Sequence, residues 1–540
     1  MTVDVVSKVP RPGTSPEPSA PGSGPPAAAA VPVGRLWRRV LLRAALIPLI
    51  VLLPLTTLAP SGDHRFNIYW HGGMYRTHPF GIVTGTIDVL PTYLRLGNFR
   101  PLGRMVESAI DLAAYLLTDL LHLPANIALR LVTCAAAMLL SVTAVLFTEC
   151  VVARGPVFAG TPTRVAAVLP FAVGGCCVAA GDTTVFVLFG ALYLTTSALV
   201  LGLAAAFARL VRTQQNRLGW RRAAAATLAG AAIACFNELA ALAIPLLTVT
   251  VLVCALGVQR LDRRRAFTGP AARAVAACWL GFLPIFLVVR VIIAGYCRTG
   301  DCYRGSDVAL GPGALTAFGV RLGAWLPPLG WARVADGAGL IWGVLPLLAL
   351  AALGVLAWQA SRDLPRLDRP DRAQLLGAAA VAVTLLALGA GLACLNADVQ
   401  RFAGLGRWGQ GWRDSGVTAV AGGLLLALGA VALTARWRRP HRALTWLLVM
   451  FALAGTVTVA ANRTYADRMA TRPMSLLDNR IALEMAEFDR TGAGDARRCA
   501  LLDEAFTLYA DAEPTRTRYA ESLDVGARDI AGVPFCRAAR

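Results

Sequence analysis

The chain is poor in charge. Asp, Glu, Lys and Arg make up 16% of its 540 residues, where soluble domains run near 25%. Lys8 is its one lysine, every other basic residue is arginine, and there are five histidines. No phosphate-cradling P-loop, dinucleotide fingerprint or Gly-x-Ser-x-Gly elbow falls in a strand–turn–helix context, which disfavours ATP-driven transport by this chain alone. What it has is apolar mass: 56% hydrophobic residues and a mean hydropathy of +0.58. Apolar runs of about 20 residues recur along nearly the whole sequence, so a polytopic membrane protein is expected and a soluble enzyme is not. The formal charge of +20 sits in short clusters between those runs, the pattern of membrane topology and not of a nucleic-acid partner.

Residues 1–34 are rich in Pro, Ala, Gly and Ser and read as a disordered cytoplasmic tail. Arg35, Arg38, Arg39 and Arg43 then precede an apolar run ending near Pro60. The long leader before it favours an uncleaved helix over a cleaved signal peptide. Ten further runs are centred near residues 138, 172, 195, 229, 248, 282, 347, 384, 426 and 452. The expected fold class is an all-α polytopic membrane protein with about 11 transmembrane helices, a long extracytoplasmic first loop and a small extracytoplasmic C-terminal module. Arginine clusters at 154–164, 209–222, 260–273, 362–372 and 436–442 occupy alternate gaps. The positive-inside rule thus places the N-terminus in the cytoplasm and the C-terminus outside the cell membrane. The domains are then 1–34, a transmembrane domain 35–461, and the module 462–540.

Cysteine gives a second check on orientation. Eight of the twelve lie within or beside apolar runs, where cysteine acts as a small hydrophobe. The other four, Cys297, Cys302, Cys499 and Cys536, all fall on the extracytoplasmic side, where disulfides persist. Pairing Cys297 with Cys302 and Cys499 with Cys536 is the simplest of three connectivities.

The chemistry-bearing residues concentrate outside. The loop 61–124 is the longest between runs and opens Ser61-Gly62-Asp63-His64-Arg65. Asp63 can accept a proton from an acceptor hydroxyl or hold a divalent cation, or it is a solvated acid that ends the helix. Residues 103–121 read as an interfacial amphipathic helix, with Leu112, Leu116, Leu117 and Leu120 on one side and Arg104, Glu107 and Asp111 at helical spacing. Asp182 sits in a short outer turn, as a second acid or as an N-cap of the following helix. Glu238, beside Asn237, interrupts an apolar stretch, and a near-membrane glutamate is costly unless it pairs or faces water. Arg290 ends its run and either snorkels outward or binds a phosphate. His64, His71 and His78 are spaced by seven, but no H-E-x-x-H or C-x-x-C accompanies them, so a metal remains unassigned.

A long first outer loop opening with an acid resembles the GT-C superfamily of polytopic glycosyltransferases. Phe99-Arg100-Pro101-Leu102 is similar to the Tyr-Arg-Pro-Leu segment of its O-mannosyltransferase-like branch. That branch then has an amphipathic helix and a span opening with Asn and, one turn on, His; here Asn126 is present and Arg130 replaces the His. Phe236-Asn237-Glu238 with Pro245 resembles the branch's Ser-Lys-Glu…Pro segment, with Asn237 in place of Lys. The resemblance spans roughly residues 40–250. It implies a polyprenyl-phosphate sugar as donor and an inverting transfer to an envelope glycan or protein on the outer face. Asp63 would be the first-loop acid, with Asp88 as its alternative, and Asp182 the second-loop acid. The expected site is Asp63, Asp182 and Glu238 as catalytic acids, with His64, Arg100, Arg104, Asn126 and Arg290 binding substrate. The resemblance names no definite cofactor and leaves a divalent cation open. Two other readings stand beside it: a transporter or flippase of a lipid-linked intermediate, and a non-catalytic envelope scaffold.

Overall fold

The computed structural model describes residues 32–212, 217–298, 302, 308–510 and 512–537. The expected tail 1–34 lies almost wholly outside them. The described chain is helical, with isolated β-bridges at Thr163–Asp368 and Val308–Asn396. Nine of its helices are long and apolar enough to cross a membrane: Val33–Thr57, Ala125–Val152, Gly190–Val211, Ala240–Val258, Arg263–Cys297, Val344–Arg366, Arg372–Cys394, Ser415–Thr434 and Pro440–Ala470. The chain is therefore an all-helical, multi-pass membrane protein. The two remaining apolar runs form shorter helices, Arg164–Cys176 and Trp220–Ala234. At 1.5 Å per residue these reach about 20 Å and 22 Å, short of the roughly 30 Å hydrocarbon core.

Local chemistry sets the helix ends. Proline, pre-set for helical φ and lacking the N–H that a first turn leaves free, opens Pro101–Leu121, Pro270–Cys297, Pro440–Ala470 and Pro473–Glu487. Asp371 and Gln374 form a reciprocal capping box at the start of Arg372–Cys394. After Arg164–Cys176 the backbone leaves helical geometry, yet Val178, Ala179 and Ala180 remain buried. Such backbone needs protein partners at membrane depth. Asn462 supplies them: its Oδ1 accepts from Ala179 N at 2.8 Å, and its Nδ2 donates to the Cys177 and Val51 carbonyls at 3.1 and 3.0 Å. Asn462 is fully buried, so the Asn-Arg-Thr triplet it opens is no glycosylation acceptor.

The last span continues unbroken to Ala470, so the C-terminal module begins at Pro473 rather than at Asn462. Its helices Pro473–Glu487, Gly492–Leu508 and Glu513–Ala531 are stapled by a Cys499–Cys536 disulfide. Cys297 and Cys302 form the other disulfide, with Cα atoms 5.0 Å apart. The module packs against the segment 61–124 that follows the first span: Tyr115 donates to Asp529 at 2.7 Å, Arg76 to Asp529 at 3.2 Å, and Arg518 to Asn67 at 2.6 Å.

Candidate functional site

The segment 61–124 is three helices rather than a loop: His64–Tyr75, Gly81–Arg95 and Pro101–Leu121. The third has an amphipathic pattern, but its polar side turns inward. Glu107 and Asp111 are 1% and 0% exposed, while Leu120 and Leu121 are exposed. Two desolvated carboxylates need partners to remain ionised, and the neighbouring elements provide them. Histidines seven apart share one face of the His64–Tyr75 helix, and both bond Asp111: His64 Nδ1 to Oδ1 at 2.6 Å and His71 Nδ1 to Oδ2 at 3.0 Å. Ser108 Oγ lies 3.5 Å from His71 Nε2. Burial disfavours the His64 imidazolium, but the charge and hydrogen bond of Asp111, with Glu107 behind it, raise its pKa above the ordinary value. Burial likewise pushes Asp111 up, yet the two histidines hold it below the usual carboxylate range.

A second cluster adjoins the first through Glu107. The Leu102 N–H donates to the Cys235 carbonyl at 3.0 Å, which seats the start of Pro101–Leu121 on the 235–239 turn and brings Arg100 beside Glu238. Arg100 and Arg104 pair with Glu107 at 3.7 and 3.4 Å. Burial alone would raise the pKa of Glu238, but Arg100, a backbone N–H, Arg413 and Arg290 hold it below the ordinary value. Burial also disfavours the charge of Arg100, and Glu107, Tyr193 and Glu238 outweigh it, so its pKa is raised. Four arginines thus face two carboxylates. Glu107 Oε1 and the Nε groups of Arg100, Arg104 and Arg413 are buried with no hydrogen-bond partner. Surplus positive charge with unused donors suits a phosphate or other anion.

The remaining expected site residues lie in other surroundings. Asp63 is half-exposed, with Arg518 of the C-terminal module 3.8 Å away. Asp182 accepts from Tyr465 Oη at 2.8 Å and Arg472 at 2.9 Å. It does not cap the next helix, which starts at Gly190 after Phe189. Asp63, Asp182 and Glu238 are therefore held by three different sets of partners. Asn126 donates to the Thr57 carbonyl at 3.5 Å. Arg130 is a brace, donating to the Val187 and Ala59 carbonyls at 2.8 and 2.9 Å. Arg290, the exposed member of the arginine cluster around Glu238, also rests over the Phe286 ring at 5.2 Å. Asp88 is exposed, near Tyr75. His78 is exposed beyond the helix that carries His64 and His71. Among the described residues no group of three or more His, Cys, Asp or Glu side chains is arranged to hold a metal ion.

Glu107, Asp111, His71 and Arg413 are the site residues that sequence reasoning missed. The spacing of Arg104, Glu107 and Asp111 was the available signal; it located the helix face but not the direction of that face. Arg413, just before the Ser415–Thr434 span, carried no signal. Comparison of the chain with protein-family models, with curated proteins and with solved structures finds no match.

Proposed function

We propose that this membrane protein is a glycosyltransferase that takes a polyprenyl-phosphate sugar from the outer leaflet and passes the sugar, with inversion, to a hydroxyl of an envelope glycan or protein. The observation that carries this reading is the arginine-rich cluster with its buried, unpartnered donors, bordered by the acid–histidine network. In one displacement the acceptor oxygen forms a bond to the anomeric carbon as the bond to the phosphate oxygen breaks. Polyprenyl phosphate leaves with the electron pair, and the acceptor proton passes to a base. Arg100, Arg104, Arg413 and Arg290 offset the charge gathering on the leaving phosphate. Glu238 keeps Arg100 in register. Two groups are candidates to take the proton: Asp63, half-exposed just before the His64–Tyr75 helix, or His71, whose Nδ1 is tied to Asp111. The reading carries eleven crossings, the N-terminus in the cytoplasm, and the C-terminal module outside over the site.

The test uses membrane vesicles holding the full chain, labelled polyprenyl-phosphate sugars and crude envelope acceptor, with variants at matched folded amounts. Arg100→Gln is expected to abolish transfer. Loss of the base costs roughly 10²–10⁴-fold, so a loss of that size in Asp63→Asn alone assigns the base to Asp63. The same loss in His71→Gln alone assigns it to the Asp111–His71 pair. Folded protein that transfers from no donor overturns the enzyme reading and favours a transporter or scaffold.

A further inference from the structure

The end of the molecule opposite the module carries a second basic cluster, built differently. The Arg164–Cys176 helix begins there, and so does Pro440–Ala470, whose 31 residues put its start about 46 Å from the module-bearing end. A short strand-like pairing fixes the geometry: Arg164 N–H donates to the Asp368 carbonyl at 3.0 Å, and Asp368 N–H to the Pro162 carbonyl at 3.1 Å. This holds Arg369 beside Arg164. Both guanidinium groups then converge on one acceptor, the Nε2 of His441, from Arg164 at 3.4 Å and from Arg369 at 3.1 Å.

The cluster lacks a counter-charge. Arg164 is 5% exposed, an expensive place for a guanidinium without a carboxylate. Among the described residues no carboxylate forms an ion pair with Arg164 or Arg369, although Asp368 and Glu149 lie nearby. Glu149 is buried and accepts from the Thr163 N–H and hydroxyl. Asp371 pairs with Arg154, and the Asp368 side chain is exposed. Arg164 Nε and His441 Nδ1 are buried with no partner. The first turn of Pro440–Ala470 has no side-chain cap, so its free N–H groups and the positive end of its dipole add to the same region. A solvated basic rim accounts for the exposed arginines of the 436–442 stretch. It does not account for a buried arginine aimed at an imidazole nitrogen that a second arginine also approaches.

We infer that Arg164, Arg369 and His441 form a seat for a phosphate group at the membrane end opposite the module. Arginine forks match phosphate oxygens two at a time, and a bound phosphate gives Arg164 the counter-charge it lacks. The ligand chemistry is a phosphate ester or free phosphate; its position at a membrane boundary admits both an anionic phospholipid headgroup and a soluble anion. The seat is separate from the outer arginine cluster and independent of the glycosyltransferase reading.

The experiment uses the purified full chain. Its thermal midpoint is followed in detergent with inorganic phosphate against chloride at matched ionic strength. Lipid adducts are counted by native mass spectrometry after addition of phosphatidylglycerol or phosphatidylcholine. Variants are Arg369→Gln, exposed and therefore safe for folding, His441→Gln, and Arg438→Gln as a basic residue outside the seat. The expected result is stabilisation or adduct formation by a phosphate-bearing anion in wild type and Arg438→Gln, and roughly tenfold weaker binding in Arg369→Gln, the loss of one strong charge-assisted contact. A response to phosphatidylglycerol alone identifies the lipid source, and a response to inorganic phosphate identifies the soluble one. The seat is overturned if neither anion binds, if phosphatidylcholine does as well as phosphatidylglycerol, or if Arg438→Gln loses as much as Arg369→Gln.

Discussion

Asp111 is the residue on which the candidate site turns. It is fully buried and both of its oxygens are taken, one by His64 and one by His71. Asp111→Asn keeps the shape but removes the charge, leaving two imidazoles competing for one amide. Breaking a buried charged pair from one side costs about 3–5 kcal/mol, and a loss of that order is expected in the unfolding of the detergent-solubilised protein. The pH dependence has a definite sign. The pKa of His64 is raised on folding, so its contribution is complete below the unfolded value near 6.5 and is lost as pH rises through the folded value. The pKa of Asp111 is lowered, so its contribution is complete above about 3.9 and is lost as pH falls through the folded value. Glu107 and Arg130 also face His64 and act in opposite directions. Wild type should therefore lose stability as pH rises from about 6.5, and Asp111→Asn should show a flatter profile over the same range. A wild-type midpoint that does not fall would mean that His64 is neutral throughout.

At the scale of elements, the sequence is most legible where one physical rule dominates. Apolar runs yield helices at all eleven expected positions, because hydrophobic length and composition override everything else in a membrane. The Pro101–Leu121 helix shows where legibility ends. Its period was readable, but whether a polar face meets water or protein depends on partners far away in sequence, here His64, His71 and Glu238. Arg130 is similar: in the sequence it is only a departure, standing where the resemblance expects a His, and its role as a brace shows once the carbonyls of Val187 and Ala59 are placed around it. The pair formed by Trp220–Ala234 and Pro270–Cys297 rests on small residues that allow the backbones to touch. A Cβ on Gly230 would strike the Cys278 carbonyl, and one on Gly281 the Thr227 carbonyl. Gly230→Leu should therefore destabilise by about 1–3 kcal/mol as the helices are forced apart. Gly429→Leu, on an exposed face with open space beside it, should be close to neutral by the same thermal measurement. Equal effects of the two would mean that the helices pack elsewhere.

For the whole molecule, the decisive quantity is the number of crossings, and two short helices control it. With the N-terminus inside, counting only the nine long helices puts Asp182 in the cytoplasm and both Arg212 and Arg217 outside. Counting Arg164–Cys176 and Trp220–Ala234 as crossings, each completed by the irregular segment that follows it, reverses both. Two contacts favour the higher count. Asp182 bonds Tyr465 and Arg472, at the module end of the last span. Arg212 donates to the carbonyls of Cys150 and Gly155, at the other end of the Ala125–Val152 span from Asn126. The arginine distribution agrees, since Arg209, Arg212, Arg217, Arg221 and Arg222 would otherwise all face outward against the positive-inside rule. Single cysteines at two exposed positions separate the counts. In intact cells, a membrane-impermeant maleimide should label Asp182→Cys and leave Arg217→Cys unlabelled until the membrane is opened. With the N-terminus inside, labelling in the reverse order would reduce the crossings to nine and place Asp182 on the cytoplasmic side. The outer arginine cluster would survive that outcome, because its residues join the chain before the first short helix or after the second. Both counts are odd, so each puts the module on the side opposite the N-terminus, and the cysteine pair bears on the short helices once the side of the N-terminus is fixed.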